Sequence, residues 1–223
     1  MSAATPPTSR LQWRELRPAD LTAMHALHQA SIRGLPPAIV KPESLDFLAS
    51  LLHGRGRVQG AWDGDALVAY GVLQHDVLPA DDPRAHLGLK PHQPVFKLAG
   101  AAVASQWRGH GLQRVLIDRR LAWATGQAVF ATAAPGNPAS WRSLLACGLS
   151  VRALEVRYGG LPRYLMARVP GDTFAADVAR SMALGPEALD QQQTLLLQGW
   201  RGLAPGAKPG QLRLQPPRPE ARS

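Results

Sequence analysis

The chain has 223 residues, 45% of them hydrophobic, enough for one sizeable core and too many for a disordered protein. No apolar run approaches the ~18–20 residues of a membrane-spanning helix, and the single cysteine, Cys147, excludes an internal disulfide and a cysteine cluster for zinc. The formal charge is +9, but the arginines are scattered rather than blocked, and no zinc-finger or RNA-recognition motif accompanies them, so nucleic acid is not the expected partner.

Taken in order, residues 1–10 (MSAATPPTSR) read as a flexible tail without the apolar segment of a signal peptide, which makes the cytoplasm the expected compartment. LQWREL (11–16) alternates like a strand. Leu21, Met24, Ala26, Leu27 and Ala30 then recur at near-helical spacing after a candidate N-cap, Asp20. PESLDFLASLL (42–52) predicts a second helix, with Pro42 near its first turn. Residues 58–75 carry two β-type runs around Asp63-Gly64, a hairpin signal. A loop rich in Asp, Pro and His covers 76–94, and VFKLAGAAVA (95–104) reads as a buried strand.

The stretch SQWRGHGLQRVL (105–116) follows, with a helix expected from about Leu112 to Thr125. AVFATAA (128–134) is a short apolar strand. Asn137-Pro138 pairs an N-cap with a first-turn proline before a helix that Gly148 stops. LSVRALEVRYGG and RYLMARV predict two more strands. Beyond 168 we expect an extension: a strand in DVARSMAL, a helix near Pro186 and a strand at QLRL, with 216–223 as a second tail. The order β-α-α-β-β-β-α-β-α-β-β, plus the extension, indicates an α/β fold with a mixed sheet.

Glycines on both sides of His110, just ahead of a helix, suit an anion site: free N–H groups at the positive end of a helix dipole, on a backbone with no side chains in the way. A plain surface turn is the alternative. The strand, this turn and the later Asn-Pro helix together resemble the coenzyme-binding core of the GNAT (Gcn5-related N-acetyltransferase) superfamily. Its pattern R-x-x-G-x-G/A follows a strand; here Arg108 and Gly111 match, and Gln113 stands where the last small residue belongs. The resemblance covers residues 11–168, with 169–215 as a C-terminal extension packed on that domain. RGHGLQ, NPASWRSLLACGL and YGGLPRYL together look like a GNAT subgroup that carries such an extension.

The resemblance implies a GNAT-type sheet, mixed but mostly antiparallel and flanked by helices, with acetyl-CoA as acyl donor and no metal. It implies that the amides of Arg108, Gly109, His110, Gly111, Leu112 and Gln113 cradle the pyrophosphate, helped by the charge of Arg108 and Arg114. The pantetheine arm would bond to backbone at Ala101, Ala102 and Val103, and Asn137 with Ser140 would meet the same arm. Each of these also has a plainer reading: a covered core strand for the first set, a helix cap for the second.

The implied reaction is acyl transfer to the amine of a small molecule or peptide, by direct attack in a ternary complex. A homodimer through the C-terminal strands is compatible with the family. The general acid is the departure: many GNATs place a tyrosine seven residues after the asparagine, and here that position is Leu144. Tyr158, and next to it Tyr164, are the substitutes, with core packing as the competing role. His75, beside Asp76, is the candidate base. His75, His86 and His92 lack a tight metal-ligand spacing. A coenzyme A-binding module without activity is the alternative that the missing tyrosine raises, and a basic nucleic-acid-binding protein is the remaining one.

Overall fold

A computed structural model describes residues 10–36, 38–40 and 42–219. In chain order its strands and helices are β1 (Gln12–Glu15), α1 (Leu21–Ile32), α2 (Leu45–Ser50), β2 (Gly56–Asp63), β3 (Ala66–Gln74), α3 (Arg84–Leu87), β4 (Val95–Val103), α4 (Leu112–Trp123), β5 (Ala128–Ala133), α5 (Pro138–Ala146), β6 (Ser150–Arg157), β7 (Leu161–Arg168), β8 (Met182–Leu184), α6 (Leu189–Leu197), β9 (Arg201–Pro205) and β10 (Leu212–Gln215). The expected α/β order therefore holds from β1 to β7, except that the short α3 stands within the segment read as a loop. The chain divides into two compact units, Met1–Val77 with Phe96–Thr125, and Leu78–Val95 with Gly126–Ser223.

In the first unit β1, β2, β3 and β4 pair antiparallel in that order. One face, with Val58, Tyr70, Val72 and Ala102, packs under α1 and α2 through Met24, Leu27, Leu48 and Leu51. The opposite face, with Ala61 and Ala69, packs under Leu112 and Leu116 of α4 and under Trp107. One polar junction interrupts the first core. His28 Nε2 accepts from the Glu43 backbone N–H at 3.0 Å, which leaves Nδ1 as the protonated nitrogen, donating to the Tyr70 hydroxyl at 3.1 Å. Burial lowers the His28 pKa and raises that of Tyr70, so both stay neutral near pH 7.

α4 is held to β3 by Arg120, 1% exposed, whose guanidinium donates to Val72 O at 3.0 Å and to Leu116 O at 2.8 Å. This needs the glycine at 71: a Cβ there would lie 2.8 Å from the guanidinium carbon.

The second unit carries β5-β7-β6-β9-β10-β8, each neighbour antiparallel. The extension is thus continuous with the sheet of this unit: β9 pairs with β6 at Val151↔Gly202 and carries β10 and β8 beyond it. Three expectations shift. The strand in DVARSMAL is confined to β8, after a 3-10 turn at Val178–Arg180. The helix starts at Leu189 rather than near Pro186, and an unexpected strand, β9, lies between it and the last strand, within a glycine- and proline-rich run.

Of the two tail readings, residues 1–9 and 220–223 lie outside the described residues, and the inner ends are fixed. Arg10 pairs with Asp63 at 2.8 Å, and Arg218 N–H donates to Ala175 O at 2.7 Å beside an Ala176↔Pro217 bridge. Asp20 does not cap α1 with its side chain; its carboxylate takes the Arg14 guanidinium at 2.7 and 2.8 Å and the Arg17 N–H.

Candidate active site

The register between β3 and β4 slips inside the run of small residues. Gly71 faces Ala101 while Leu73 faces Leu98, so three steps on β4 match two on β3 and a bulge falls at Ala99–Gly100. Gly100 is exposed, and Ala101 and Val103 are half-exposed, whereas Ala102 is buried toward the α1/α2 core. Along the run read as the pantetheine track, Gly100, Ala101 and Val103 thus keep some exposure, while Ala102 turns to the core. The bulge itself was not anticipated; Gly100 inside an apolar strand is the signal for it.

From β4 the chain passes through a 3-10 turn, Ser105–Trp107, whose Trp107 is buried at 3% exposure and fixes the turn to the sheet. Gly109 (φ 83°) and Gly111 (φ 77°) then take left-handed conformations, and Gly111 serves as the N-cap of α4. No side chain caps this helix, and no acidic residue stands in its first turn. The first N–H groups of a helix have no intrahelical acceptor. A Cβ on Gly109 or Gly111 would meet nothing within 4 Å, so the space over the loop is open. Open amides, a dipole with no carboxylate to answer it, and free space above: these fit a pyrophosphate.

Arg108 lies in this loop, but its guanidinium is already engaged. It donates to Ser31 O at 3.0 Å and to Val103 O at 3.3 Å, strapping the C-terminal turn of α1 to the end of β4. Exposed as the residue is, its cation sits beside the loop while its hydrogen bonds hold the loop's frame.

His75 follows β3. Its N–H donates to Arg55 O at 2.9 Å and its ring meets Phe96 edge-on, with centroids 5.3 Å apart. Partial burial, then the nearby Arg57 charge, lowers its pKa, so the ring is neutral near pH 7. Phe96 is four residues from Gly100, which puts His75 about 13 Å along the strand from the bulge.

In the second unit Asn137 is the N-cap of α5, its Oδ1 accepting the Ser140 N–H at 3.2 Å. That spends one acceptor; the amide nitrogen of Asn137 keeps its donors. Leu144, at the position of the missing tyrosine, is buried in the core.

Tyr158 stands in the β6–β7 turn with φ 53°, the one non-glycine residue with positive φ among the described residues. Its hydroxyl is 3.1 Å from Thr132 Oγ1 on β5. Of the two roles read for Tyr164 it takes the packing one: 1% exposed, it donates to Gln192 Oε1 at 2.6 Å, and Gln192 in turn donates to Gly185 O at 2.7 Å. Burial pushes its pKa up to about 12. It pins α6 to β7 and is too enclosed to serve a leaving group. Cys147 ends α5, half-buried, with its N–H bonded to Ser143 O and Leu144 O. Among the described residues no three His, Cys, Asp or Glu side chains are grouped to hold a metal ion, and no helix is long and apolar enough to cross a membrane.

No family model matches the sequence, and no curated protein matches it either. The fold does have solved counterparts. An acetyltransferase of the GNAT family from Streptococcus pneumoniae aligns with 72% of this chain and 99% of its own, at 14% identity and a TM-score of 0.55. Arabidopsis thaliana NAA60 in complex with acetyl-CoA aligns with 73% of this chain and 99% of its own, at 16% identity and a TM-score of 0.56. YncA, a putative acetyltransferase from Salmonella typhimurium with its cofactor acetyl-CoA, aligns with 75% and 98%, at 18% identity and a TM-score of 0.54.

Proposed function

From a chain with the GNAT acetyltransferase fold, we propose an acyl-CoA-dependent N-acetyltransferase that moves an acetyl group to the amine of a small molecule or peptide. The observation that carries the reading is the uncapped N-terminus of α4, entered through two left-handed glycines one 3-10 turn after a bulged strand. Residues 109–113 would hold the pyrophosphate through backbone N–H groups, with Arg108 and Arg114 adding charge. The backbone of Ala101 to Val103 would hold the pantetheine arm, and one of its N–H groups would answer the negative charge that develops on the thioester oxygen. Asn137, through its remaining donors, and Ser140 are further proposed contacts to the arm.

Acetyl-CoA supplies a carbonyl carbon activated as a thioester. A neutral amine attacks that carbon, the C–N bond forms as the C–S bond breaks, and the departing thiolate takes up a proton. His75, neutral near pH 7, is the proposed acceptor of the ammonium proton; at about 13 Å along the strand from the bulge it would take that proton through water, with the amine approaching along β4 between Phe96 and Gly100. Tyr158 is the proposed donor to the thiolate. Among the described residues none is placed as an activated nucleophile for a covalent acyl-enzyme, which supports direct transfer as the proposed route.

The test is thiol release from acetyl-CoA with a panel of amines that includes small polyamines, aminoglycosides and peptide N-termini. Acetylation of any of them supports the reading. Saturable coenzyme A binding with no acetylated product from any amine would leave a silent binding module instead. Within an active enzyme, Tyr158→Phe should lower kcat by about 10²–10⁴-fold with coenzyme A affinity unchanged, because a general acid acts in the transition state. A folded Tyr158→Phe protein with normal kcat would mean unassisted thiolate departure.

A further inference from the structure

The second unit contains a cleft that acetyl transfer does not use. Its volume is about 270 Å³, and Ser150 and Arg152 of β6, Arg168 of β7, Asp172 and Arg201 of β9 supply its polar lining. Its charge is unbalanced. Arg201 makes a two-pronged pair with Asp172, at 2.8 and 3.0 Å, and Arg152 bonds to the same carboxylate. One carboxylate thus serves two guanidiniums, and Arg168 adds a third with no carboxylate partner among the described residues.

Desolvation sharpens the imbalance. The side chains of Arg152, Arg201 and Asp172 are only 12%, 19% and 22% exposed. Arg152 Nε is buried and has no hydrogen-bond partner, an expensive state for a charged donor. Burial, together with the neighbouring Arg201, lowers the Arg152 pKa, which says that Asp172 does not fully compensate the charge. The Arg201 guanidinium carbon lies over the Phe174 ring, 4.2 Å from its centroid, a contact that helps hold its fork in place.

The end of α5, which also lines the cleft, does not claim these donors. The last carbonyls of α5 are answered by their own turn, Leu149 N–H to Leu144 O at 3.1 Å and Gly148 N–H to Leu145 O at 3.0 Å. We infer that this cleft binds a small anion bearing a phosphate or carboxylate group, gripped by Arg152, Arg168 and Arg201. Guanidiniums match both groups by paired N–H donors, and the volume admits one small molecule rather than a polymer.

Titration calorimetry with inorganic phosphate and, separately, malonate tests this on the full chain. At least one of the two is expected to bind saturably, and the tighter of them identifies the phosphate or the carboxylate class. Arg168→Gln, at an exposed position whose loss leaves the Asp172 pairs intact, should weaken that binding at least tenfold with an unchanged melting temperature. Gly111→Glu, which blocks the other candidate anion site, should leave it intact. Two results overturn the inference: no saturable binding of either anion, or binding lost in Gly111→Glu and kept in Arg168→Gln. The second would place the anion at the glycine loop and would leave the coenzyme reading standing while removing this one.

Discussion

The helix starting at Leu112 and the helix starting at Pro138 both follow an apolar strand by a short turn, yet they settle their first amides in opposite ways. Asn137 folds its side chain onto the Ser140 N–H, and proline at the first position removes another donor, so α5 is completed from within the chain. At α4 the equivalent place is held by Gly111, which has no side chain to give, and no carboxylate stands in the first turn. A helix start is a finished cap in one case and an open anion cradle in the other. A helix start that the chain leaves unanswered, with open space above it, is where an external group has something to gain.

Closing the open end is the strongest way to break this contrast. Gly111→Glu places a carboxylate where phosphates should lie and forces a left-handed φ on a side chain, a strain of ~1–2 kcal/mol. Coenzyme A affinity should fall by about 100-fold or more, a change of ~2.7 kcal/mol at 1.36 kcal/mol per tenfold. Calorimetry on a folded variant with unaltered affinity would remove the loop from the site. Arg108→Ala tests the frame rather than the cradle. It deletes the bonds to Ser31 O and Val103 O, and should cost about 1–2 kcal/mol of stability in denaturant unfolding. A coenzyme affinity that weakens in step would show that the strap keeps the loop in shape. Smallest is Asn137→Ala, which opens the finished cap: about 1 kcal/mol of stability should be lost, with Asn137→Asp retaining most of it. A coenzyme affinity lowered more than tenfold in Asn137→Asp would show that the amide nitrogen, rather than the cap, matters there.

The sequence carried the features that depend on neighbours in the chain. The order of β1 to β7, the hairpin around Gly64, the Asn137 cap and the glycine turn are local chemistry, and each stands where its residues indicate. What escaped depends on distant partners. The bulge at Ala99–Gly100 exists only in the pairing with β3. The strap that Arg108 makes exists only once Ser31 O and Val103 O are brought beside it. Tyr164 looks like a catalytic candidate until α6 covers it and Gln192 takes its hydroxyl. Arg120 had a trace in the sequence, since a glycine at 71 within an apolar strand marks a close approach, but the visitor could not be named from there.

The central claim is that free backbone amides at the start of α4 receive the coenzyme's phosphates, and amide chemical shifts followed through a coenzyme A titration test it most directly. The N–H resonances of Gly109, His110, Gly111, Leu112 and Gln113 should move together and saturate with the binding curve, by more than that of Ser140, whose N–H is already bonded to Asn137. Saturable coenzyme A binding with those five resonances unmoved would contradict the account.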